Sequence, residues 1–395
     1  PVYTPTRTDE PNVSQPRVLF GGISVYLQQY VSLFRNAPRF LDRVWDAPRV
    51  ISTFAGRMVS NDPKMLGEMT ISMLQGEAGV LRREFGKLLE WIRAEPLPEV
   101  INLPNSLLIA LAHPLRREVN RPVVCTLQGE ELYINGLTKP YRTKALELIR
   151  AQIGNVDRFI AVSEYCARFM TEYLKIPKDK MSVVPLGVNL QGYDRAVTER
   201  ENEFRIGYFA RIAPEKGLHV LAEAYVRFRR RTATSKARLE AAGYASPAHT
   251  SYLNDVKQVL KRAGLDNEFT YHGVVDRDGK LAFLRSLDLL SVPATYDEPK
   301  GMFLLEAMGC GVPVVQPRRG AFTEVVEKTS GGLLVKPDNA DALADAFHDL
   351  WQDRDRAATL GESGFRNVRH HYSIEASAGR LMQVYESVLN SAAVN

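Results

Sequence analysis

Short apolar runs alternate with longer amphipathic stretches along most of the chain. In the first half, residues 122–127, 158–162 and 181–184 are rich in apolar and β-branched side chains and predict strands. Residues 139–153 and 164–174 lie between them, and the spacing of their apolar positions predicts helices. This alternation is typical of βαβ units, so an α/β domain with a parallel sheet is expected here.

The same alternation resumes after Asn202. Residues 204–209 predict a strand and residues 218–230 predict the helix that follows it. Further strands are predicted at residues 269–273, 287–292 and 312–315. A second α/β domain is therefore expected. Two doubly wound sheets that face each other would place the carboxyl ends of their strands on one crevice, where a ligand would bind.

The boundary between the two halves is predicted in the polar segment 189–202, which lacks periodicity. We expect a first domain at residues 1–192 and a second domain at residues 193–373, followed by a last helix over 374–389. Two domains also suit a chain of 395 residues, which is long for one core. Because few apolar residues precede Pro5, we expect the first strand to begin before Pro1.

Composition narrows the class of protein. Hydrophobic residues at 45% and charged residues at 25% are ordinary for a globular protein, and no run approaches the roughly 20 apolar residues of a membrane span. Three widely separated cysteines predict free thiols in a reducing cytoplasm. The net charge of +5 suits an anionic membrane surface or a phosphorylated substrate. No nucleic-acid-binding motif is present.

The most specific chemical signal runs from Glu298 to Glu306. These carboxylates bracket Gly301, where an apolar helical run begins. A helix that starts near Gly301 points free N–H groups at whatever precedes it, and its dipole favours an anion there. The segment is predicted to bind a molecule with hydroxyls and phosphates, such as a sugar nucleotide. The alternative is a solvated loop acid followed by a helix-surface acid.

A second signal lies on the turn after residues 204–209. Arg211 and Lys216 are five residues apart there and can converge on one diphosphate. Neutralising a departing diphosphate lowers the barrier to breaking a glycosidic bond, because charge develops on it in the transition state. The alternative is a pair of solvated surface charges.

The segment from Glu298 to Glu306 resembles the E-x7-E motif of retaining glycosyltransferases of family 4, which have the GT-B fold. Residues 210–217 resemble the family's G-R-x-x-x-E-K-G signature, with Ala210 in place of its first glycine. The resemblance extends from about residue 122 to the C-terminus. It implies an α/β fold of two Rossmann-like doubly wound domains facing a central cleft. Residues 1–192 would form the acceptor-side domain and residues 193–373 the nucleotide-sugar-binding domain, with a helix in residues 374–395 that crosses back to the first domain.

The resemblance also implies roles for single residues. Glu298 would contact the donor sugar, and Glu306 would hydrogen-bond the ribose. Backbone amides would hold the sugar and phosphates at Gly301, Met302, Phe303 and Leu304. The main chain of Gly273, Val274 and Val275 would contact the nucleotide base, and Gly21 and Gly22 would lie against the donor phosphate and the acceptor. Lys300 stands where many members carry an aromatic residue.

Gln128 stands where many family members carry a histidine that faces the reacting sugar. A glutamine donates and accepts hydrogen bonds but takes up no proton near neutral pH. We therefore expect Gln128 to orient a sugar hydroxyl and not to act as a base. The alternative is a solvated glutamine at the end of a strand.

The function implied is a metal-independent retaining glycosyltransferase with a same-face mechanism and no cofactor. The donor would be a UDP- or GDP-linked sugar, and the acceptor a hydroxyl of a glycan, a lipid-linked molecule or a small molecule. Arg211, Lys216, Glu298 and Gln128 would carry the reaction. The alternatives are another GT-B enzyme, such as a sugar-nucleotide epimerase or a phosphorylase, and a non-catalytic sugar-nucleotide-binding protein, which Gln128 motivates.

Residues 34–57 interleave arginines with aromatic side chains. Such a segment can lie on an anionic bilayer, which predicts a peripheral contact with the inner face of the membrane. The alternative is a core helix with a charged outer face.

Overall fold

A computed structural model describes residue 29 and residues 63–194, 203–232 and 236–394 of the chain. Contacts divide the described residues into two compact units. The first contains residues up to 162, residues 167–183 and residues from 382 onward, and the second contains residues 163–166 and 184–381. The glycine pair Gly21–Gly22 and the basic-aromatic segment 34–57 lie outside the described residues, so both interpretations stay predictions.

The first unit is built on a four-stranded parallel sheet in the order β1-β2-β3-β4. Its strands are β1 (Ile101–Leu103), β2 (Val123–Leu127), β3 (Arg158–Ala161) and β4 (Met181–Val183). The α-helices described before β4 are α1 (Pro63–Leu74), α2 (Arg82–Ala94), α3 (Ala112–Val119), α4 (Glu131–Gly136), α5 (Lys139–Gln152) and α6 (Glu164–Leu174). The three strands and two helices predicted in this half are confirmed.

The second unit contains a six-stranded sheet in the order β10-β9-β8-β5-β6-β7, in which every neighbouring pair is parallel. Its strands are β5 (Glu203–Phe209), β6 (Lys236–Ala242), β7 (Phe269–Tyr271), β8 (Leu289–Leu290), β9 (Val314–Pro317) and β10 (Gly332–Val335). The described α-helices from β5 onward are α7 (Leu218–Arg231), α8 (Thr250–Arg262), α9 (Arg277–Arg285), α10 (Met302–Gly309), α11 (Gly320–Thr329), α12 (Ala340–Gln352), α13 (Arg354–Tyr372) and α14 (Ile374–Val394).

The strand order of the second sheet locates its ligand-binding edge. From β5 the chain winds through β6 and β7 to one side, and then from β8 through β9 and β10 to the other. This is the classic doubly wound order, in which ligands bind beyond the carboxyl ends of the strands where the order reverses. Here the reversal falls between β5 and β8, so the loops that follow these two strands form the expected site.

The centre of the second sheet is fixed by tight apolar packing. Phe204, Ile206 and Tyr208 of β5 are fully buried, and the Phe204 ring lies 5.7 Å from the ring of Phe228 on α7. A Cβ at Gly207 would come within 2.1 Å of the Leu287 side chain. The backbone of β5 therefore lies against the segment that enters β8, which holds the two strands in register.

The structure adds three strands that the sequence pattern did not predict. The β6 segment, Lys-Ala-Arg-Leu-Glu-Ala-Ala, consists mainly of good helix formers, and its burial in the sheet overrides that preference. β1 has three residues and β10 has four, so each is too short to show a clear periodicity.

The last helix, α14, was predicted to end at residue 389 and continues to Val394. Its residues up to 381 belong to the second unit and those from 382 belong to the first. Residues 189–194 of the predicted linker lie in the second unit, where Tyr193 is 1% exposed. The domain bounds 1–192 and 193–373 remain predictions, because contact density does not test whether a segment folds independently.

Cys125, Cys166 and Cys310 are free thiols, as the sequence predicts, and all three are buried. In the described part of the chain, every helix is too short or too polar to cross a bilayer.

Candidate active site

The loop after β5 carries Lys216 into the interior. A 3-10 turn, Pro214–Lys216, is followed by Gly217 in a left-handed conformation with φ of 76°. A Cβ at Gly217 would lie 1.9 Å from the carbonyl oxygen of Pro293, which only glycine avoids. The amide of Thr295 also donates to the Glu215 carbonyl at 2.9 Å. The loops after β5 and β8 are thereby joined by their main chains.

Lys216 and Glu298 form a buried ion pair at this junction. Their side chains are 11% and 7% exposed, and the lysine ammonium donates to Oε2 of the glutamate. The same ammonium donates to the Tyr296 hydroxyl at 2.7 Å, and that hydroxyl donates to Glu298 Oε2. Nζ lies 5.0 Å from the centre of the Tyr296 ring and 5.7 Å from that of Phe303. Two residues predicted to act on one donor are therefore in direct contact.

Arg211 lies on the same loop but in solvent. Its guanidinium donates to Glu215 Oε1 at 3.1 Å, and its side chain is 56% exposed. An exposed i,i+4 ion pair of this kind contributes only about 0.3–0.5 kcal/mol. Arg211 can therefore turn from Glu215 to an anion beside Lys216 at little cost.

Helix α11 holds the backbone of Glu298 in place. Gly320, its first residue, has φ of 51°, and a Cβ there would come within 2.5 Å of the Glu298 carbonyl oxygen and 2.7 Å of its amide nitrogen. The amide of Ala321 donates to the Glu298 carbonyl at 2.8 Å. The Phe322 ring meets the Phe303 ring edge-on at 5.7 Å. Glu298 is thus fixed by the packing of a neighbouring helix.

Helix α10 begins where the sequence predicts. Gly301 is its N-cap with φ of 70°, and the helix runs from Met302 to Gly309. The Leu304 amide donates to the Gly301 carbonyl at 3.0 Å, so this one of the four predicted amides is already used. The Met302 and Phe303 amides belong to the first turn, whose N–H groups have no partner inside a helix.

Glu306 lies one turn into α10 and faces Lys280 of α9. Lys280 is 8% exposed, and its ammonium donates to Glu306 Oε1 at 2.9 Å. The hydroxyl of Tyr193 lies 3.4 Å from the same oxygen. Neither Lys280 nor Tyr193 was predicted as a site residue from the sequence. The sequence did contain an indication for Lys280. It lies four residues before Leu284, which places it on the buried face of an amphipathic helix.

The segment Gly273–Val275 follows β7 at the same edge of the sheet. The Gly273 carbonyl accepts from the amide of Gly243 at 2.8 Å, whereas the Val274 side chain is 69% exposed. The neighbouring His272 has partners within the protein: its Nε2 lies 2.6 Å from Glu240 Oε2, and its ring contacts Phe283. The exposed Val274 marks the backbone of Gly273 to Val275 as a segment that a ligand can reach.

Gln128 belongs to the first unit and follows β2. Its side-chain Nε2 donates to the Pro104 carbonyl at 2.9 Å, and its amide donates to Glu130 Oε2 at 3.0 Å. Glu130 is 8% exposed and also accepts from the Ser106 amide. Gln128 is half-buried and tied to two neighbouring segments, which differs from the alternative of a freely solvated glutamine.

Among the residues that the structure describes, no three or more His, Cys, Asp or Glu side chains are arranged to hold a metal ion.

Two sequence families match adjacent parts of the chain. Residues 72–191 match the family described as Glycosyltransferase Family 4, and residues 192–367 match the family described as Glycosyl transferases group 1. The chain belongs to family 4 of the glycosyltransferases.

Individual relatives of this family 4 protein share about a quarter to a third of the aligned residues. A D-inositol 3-phosphate glycosyltransferase of Nocardia farcinica is 28% identical over 247 residues, which cover 60% of this chain and 54% of that protein. A lipopolysaccharide core biosynthesis mannosyltransferase, LpsB, of Rhizobium meliloti is 30% identical over 190 residues, which cover 47% and 52%. The chain spans about half the length of the curated relatives it matches.

The fold agrees with that of solved glycosyltransferases. The structure of Anabaena Alr3699/HepE in complex with UDP has a TM-score of 0.67 and 20% identity, over 79% of this chain and 84% of that one. With its two parallel sheets and flanking helices, this family 4 protein has the predicted α/β GT-B fold.

The packing of Gly320 against Glu298 predicts a specific loss of stability. Gly320→Ala places a methyl group against the Glu298 backbone and should lower the free energy of unfolding by roughly 2–3 kcal/mol. Gly264→Ala is the matched control, because Gly264 also has positive φ, at 72°, but open space around it. The control should lose only about 1 kcal/mol. Chemical denaturation of both variants measures the difference, and equal losses would contradict the packing argument.

Proposed function

We propose that the protein is a retaining, metal-independent glycosyltransferase that moves a hexose from a UDP- or GDP-linked donor to an acceptor hydroxyl. The observation that carries the proposal is the buried contact between Lys216 and Glu298. It places a cation and a carboxylate together where the strand order reverses, beside the first turn of α10. A glycosyl diphosphate needs one group of each kind, a cation for its phosphates and an acceptor for its hydroxyls.

The diphosphate would bind the cations of the loop after β5. Lys216 has three N–H donors, and two of them bond to Tyr296 and Glu298. The third can reach a phosphate oxygen without breaking the ion pair. Arg211 would join after leaving Glu215, and the Met302 and Phe303 amides would add the positive end of the α10 dipole. Together these groups would neutralise the diphosphate as it departs.

The rest of the donor would be held by the neighbouring loops. Glu298 would accept hydrogen bonds from the sugar, and Glu306 from the ribose. The main chain of Gly273–Val275 would contact the base, next to the exposed side chain of Val274. This arrangement follows the order of the segments along the carboxyl edge of the sheet.

The chemical step would occur on one face of the sugar. The bond between the anomeric carbon and the diphosphate oxygen breaks, and the acceptor oxygen bonds to the same face of that carbon. The acceptor proton passes to an oxygen of the departing diphosphate. Gln128, whose amide nitrogen is tied to Pro104, would orient a sugar hydroxyl and would not act as the base.

The acceptor class is proposed from the relatives. Their names include an inositol phosphate glycosyltransferase and a lipopolysaccharide core mannosyltransferase, so a polyol phosphate or a lipid-linked glycan is the first choice. A cytoplasmic location, with peripheral contact at the inner membrane face through residues 34–57, is part of the same proposal.

The proposal is tested first by ligand binding and then by turnover. A thermal-shift screen compares UDP, GDP, UDP-glucose and GDP-mannose, because a specific ligand raises the unfolding temperature. Release of nucleoside diphosphate is then measured with and without acceptors. Transfer that requires an acceptor supports the proposal. Conversion of the sugar nucleotide without an acceptor would favour an epimerase, and binding with no turnover would favour a non-catalytic binding protein.

Replacing Lys216 should separate phosphate binding from base binding. Lys216→Gln removes the charge but keeps a donor for the buried Glu298. Affinity for the nucleoside diphosphate should fall about 10- to 100-fold, the scale of a lost charge-assisted hydrogen bond. Affinity for the nucleoside should stay within about twofold. Calorimetric titration measures both, with Lys261→Gln on the exposed last turn of α8 as the charge-matched control. Equal losses for nucleoside and diphosphate would refute the assignment.

Substitution of Glu306 and substitution of Glu298 should affect different measured quantities. Glu306→Gln should mainly weaken nucleotide binding, because the ribose contact is made before and during reaction. Glu298→Gln should mainly lower kcat with the sugar donor and leave nucleoside diphosphate affinity intact. Steady-state kinetics and calorimetric titration of both variants provide the comparison. If the two profiles are the same, the assigned roles are wrong.

Activity should not depend on a divalent cation. In the proposed mechanism, Arg211, Lys216 and the α10 amides neutralise the diphosphate, which is the role that a metal ion would otherwise have. Turnover should therefore survive EDTA, with little gain from added Mg²⁺ or Mn²⁺. A complete loss on chelation that metal restores would overturn this part of the mechanism.

A further inference from the structure

Tyr296 is a member of the Lys216–Glu298 cluster that has no role in the function proposed above. Its hydroxyl lies 2.7 Å from the Lys216 ammonium and also contacts Glu298 Oε2. Its ring lies beneath the ammonium, with 5.0 Å between Nζ and the ring centre. It is thus the one side chain of this cluster that bonds to both charged groups.

The direction of each hydrogen bond in the cluster is fixed by chemistry. An ammonium group only donates, and an ionised carboxylate only accepts. The Tyr296 hydroxyl must therefore accept from Lys216 and donate to Glu298. Burial, followed by the nearby charge of Glu298, raises the pKa of the Tyr296 phenol above its usual value of 10, so the donated proton is retained at neutral pH.

The Lys216 ammonium and the Glu298 carboxylate need to keep their relative positions when a donor binds. A diphosphate on the third N–H of Lys216 pulls the ammonium toward the phosphates, and it also brings negative charge near Glu298. The hydroxyl of Tyr296 is then the donor that keeps the carboxylate in its position. Tyr296 and Glu298 share one short loop, so this hydrogen bond does not depend on where Lys216 moves.

We propose that Tyr296 is a positioning residue that holds Glu298 against the donor sugar while Lys216 engages the diphosphate. The inference rests on the proposed function. It predicts a loss of rate and not of diphosphate affinity, because the ring that covers the ammonium is kept when only the hydroxyl is removed.

The first experiment replaces Tyr296 with phenylalanine. Using whichever of UDP-glucose and GDP-mannose the wild type turns over, kcat should fall about 10- to 100-fold, on the scale of a lost hydrogen bond to a charged group. The dissociation constant for the nucleoside diphosphate should stay within about twofold, which also shows that the variant is folded.

Tyr225→Phe is the matched control. The Tyr225 hydroxyl donates to Glu268 Oε2 at 2.5 Å, and Arg229 donates to the same oxygen at 2.7 Å. This second cluster of tyrosine, carboxylate and cation lies before β7, at the opposite edge of the sheet from the candidate site. Its loss should leave kcat unchanged. An equal fall in kcat for both tyrosine variants would mean that the effect is structural.

A double-mutant cycle tests whether Tyr296 acts through Glu298. In a Glu298→Ala background no carboxylate remains to be held, so Tyr296→Phe should change kcat by less than about twofold. For variants whose turnover is too slow to measure, the same double-mutant cycle is carried out with the dissociation constant for the sugar nucleotide as the measured quantity. Equal effects of Tyr296→Phe in both backgrounds, or no effect in the wild-type background, would overturn the inference. If the wild type turns over neither sugar nucleotide, the proposed function fails and the inference falls with it.

Discussion

The buried ion pair of Lys216 and Glu298 joins the two loops that leave the second sheet where its strand order reverses. Because both side chains are almost fully buried, the removal of either one would leave an uncompensated charge inside the protein. The contact also depends on main-chain geometry. A Cβ at Gly217 would collide with Pro293, and one at Gly320 would collide with Glu298 itself. The arrangement of the candidate site therefore follows from how closely these two loops and α11 pack.

A second lysine–glutamate ion pair, with both side chains largely buried, lies further along α10. Lys280 on α9 bonds to Glu306, one turn inside the helix whose first turn follows Glu298. Each glutamate of the E-x7-E motif is thus neutralised by a lysine from a different element, one before α10 and one beside it. Neutral pairs of this kind let two carboxylates lie near the start of a helix and near a diphosphate without mutual repulsion, which would otherwise oppose the binding of an anion.

Whether a feature of the candidate site could be predicted from the sequence depends on how far apart its interacting residues lie along the chain. The α10 start at Gly301 and the Arg211–Lys216 loop are local patterns, and the sequence predicts them correctly. The contacts of Tyr296 with Lys216, and of Lys280 and Tyr193 with Glu306, are made by tertiary packing. They join residues 26 or more positions apart, and no local periodicity predicts such a hydrogen bond. The strand β6 was missed for a related reason, since its alanines and charged residues favour a helix until the sheet buries them.

The contrast between the two cations of the β5 loop suggests how the site is divided between fixed and recruited groups. Lys216 is held by Glu298 and Tyr296 before any ligand arrives, so a diphosphate at this site would need to shift its ammonium only slightly. Arg211 is exposed and only weakly paired with Glu215, so it can move to a phosphate after the first contact is made. A buried lysine is thus suited to define where the phosphates lie. The exposed arginine would be suited to close on them as negative charge develops in the proposed transition state.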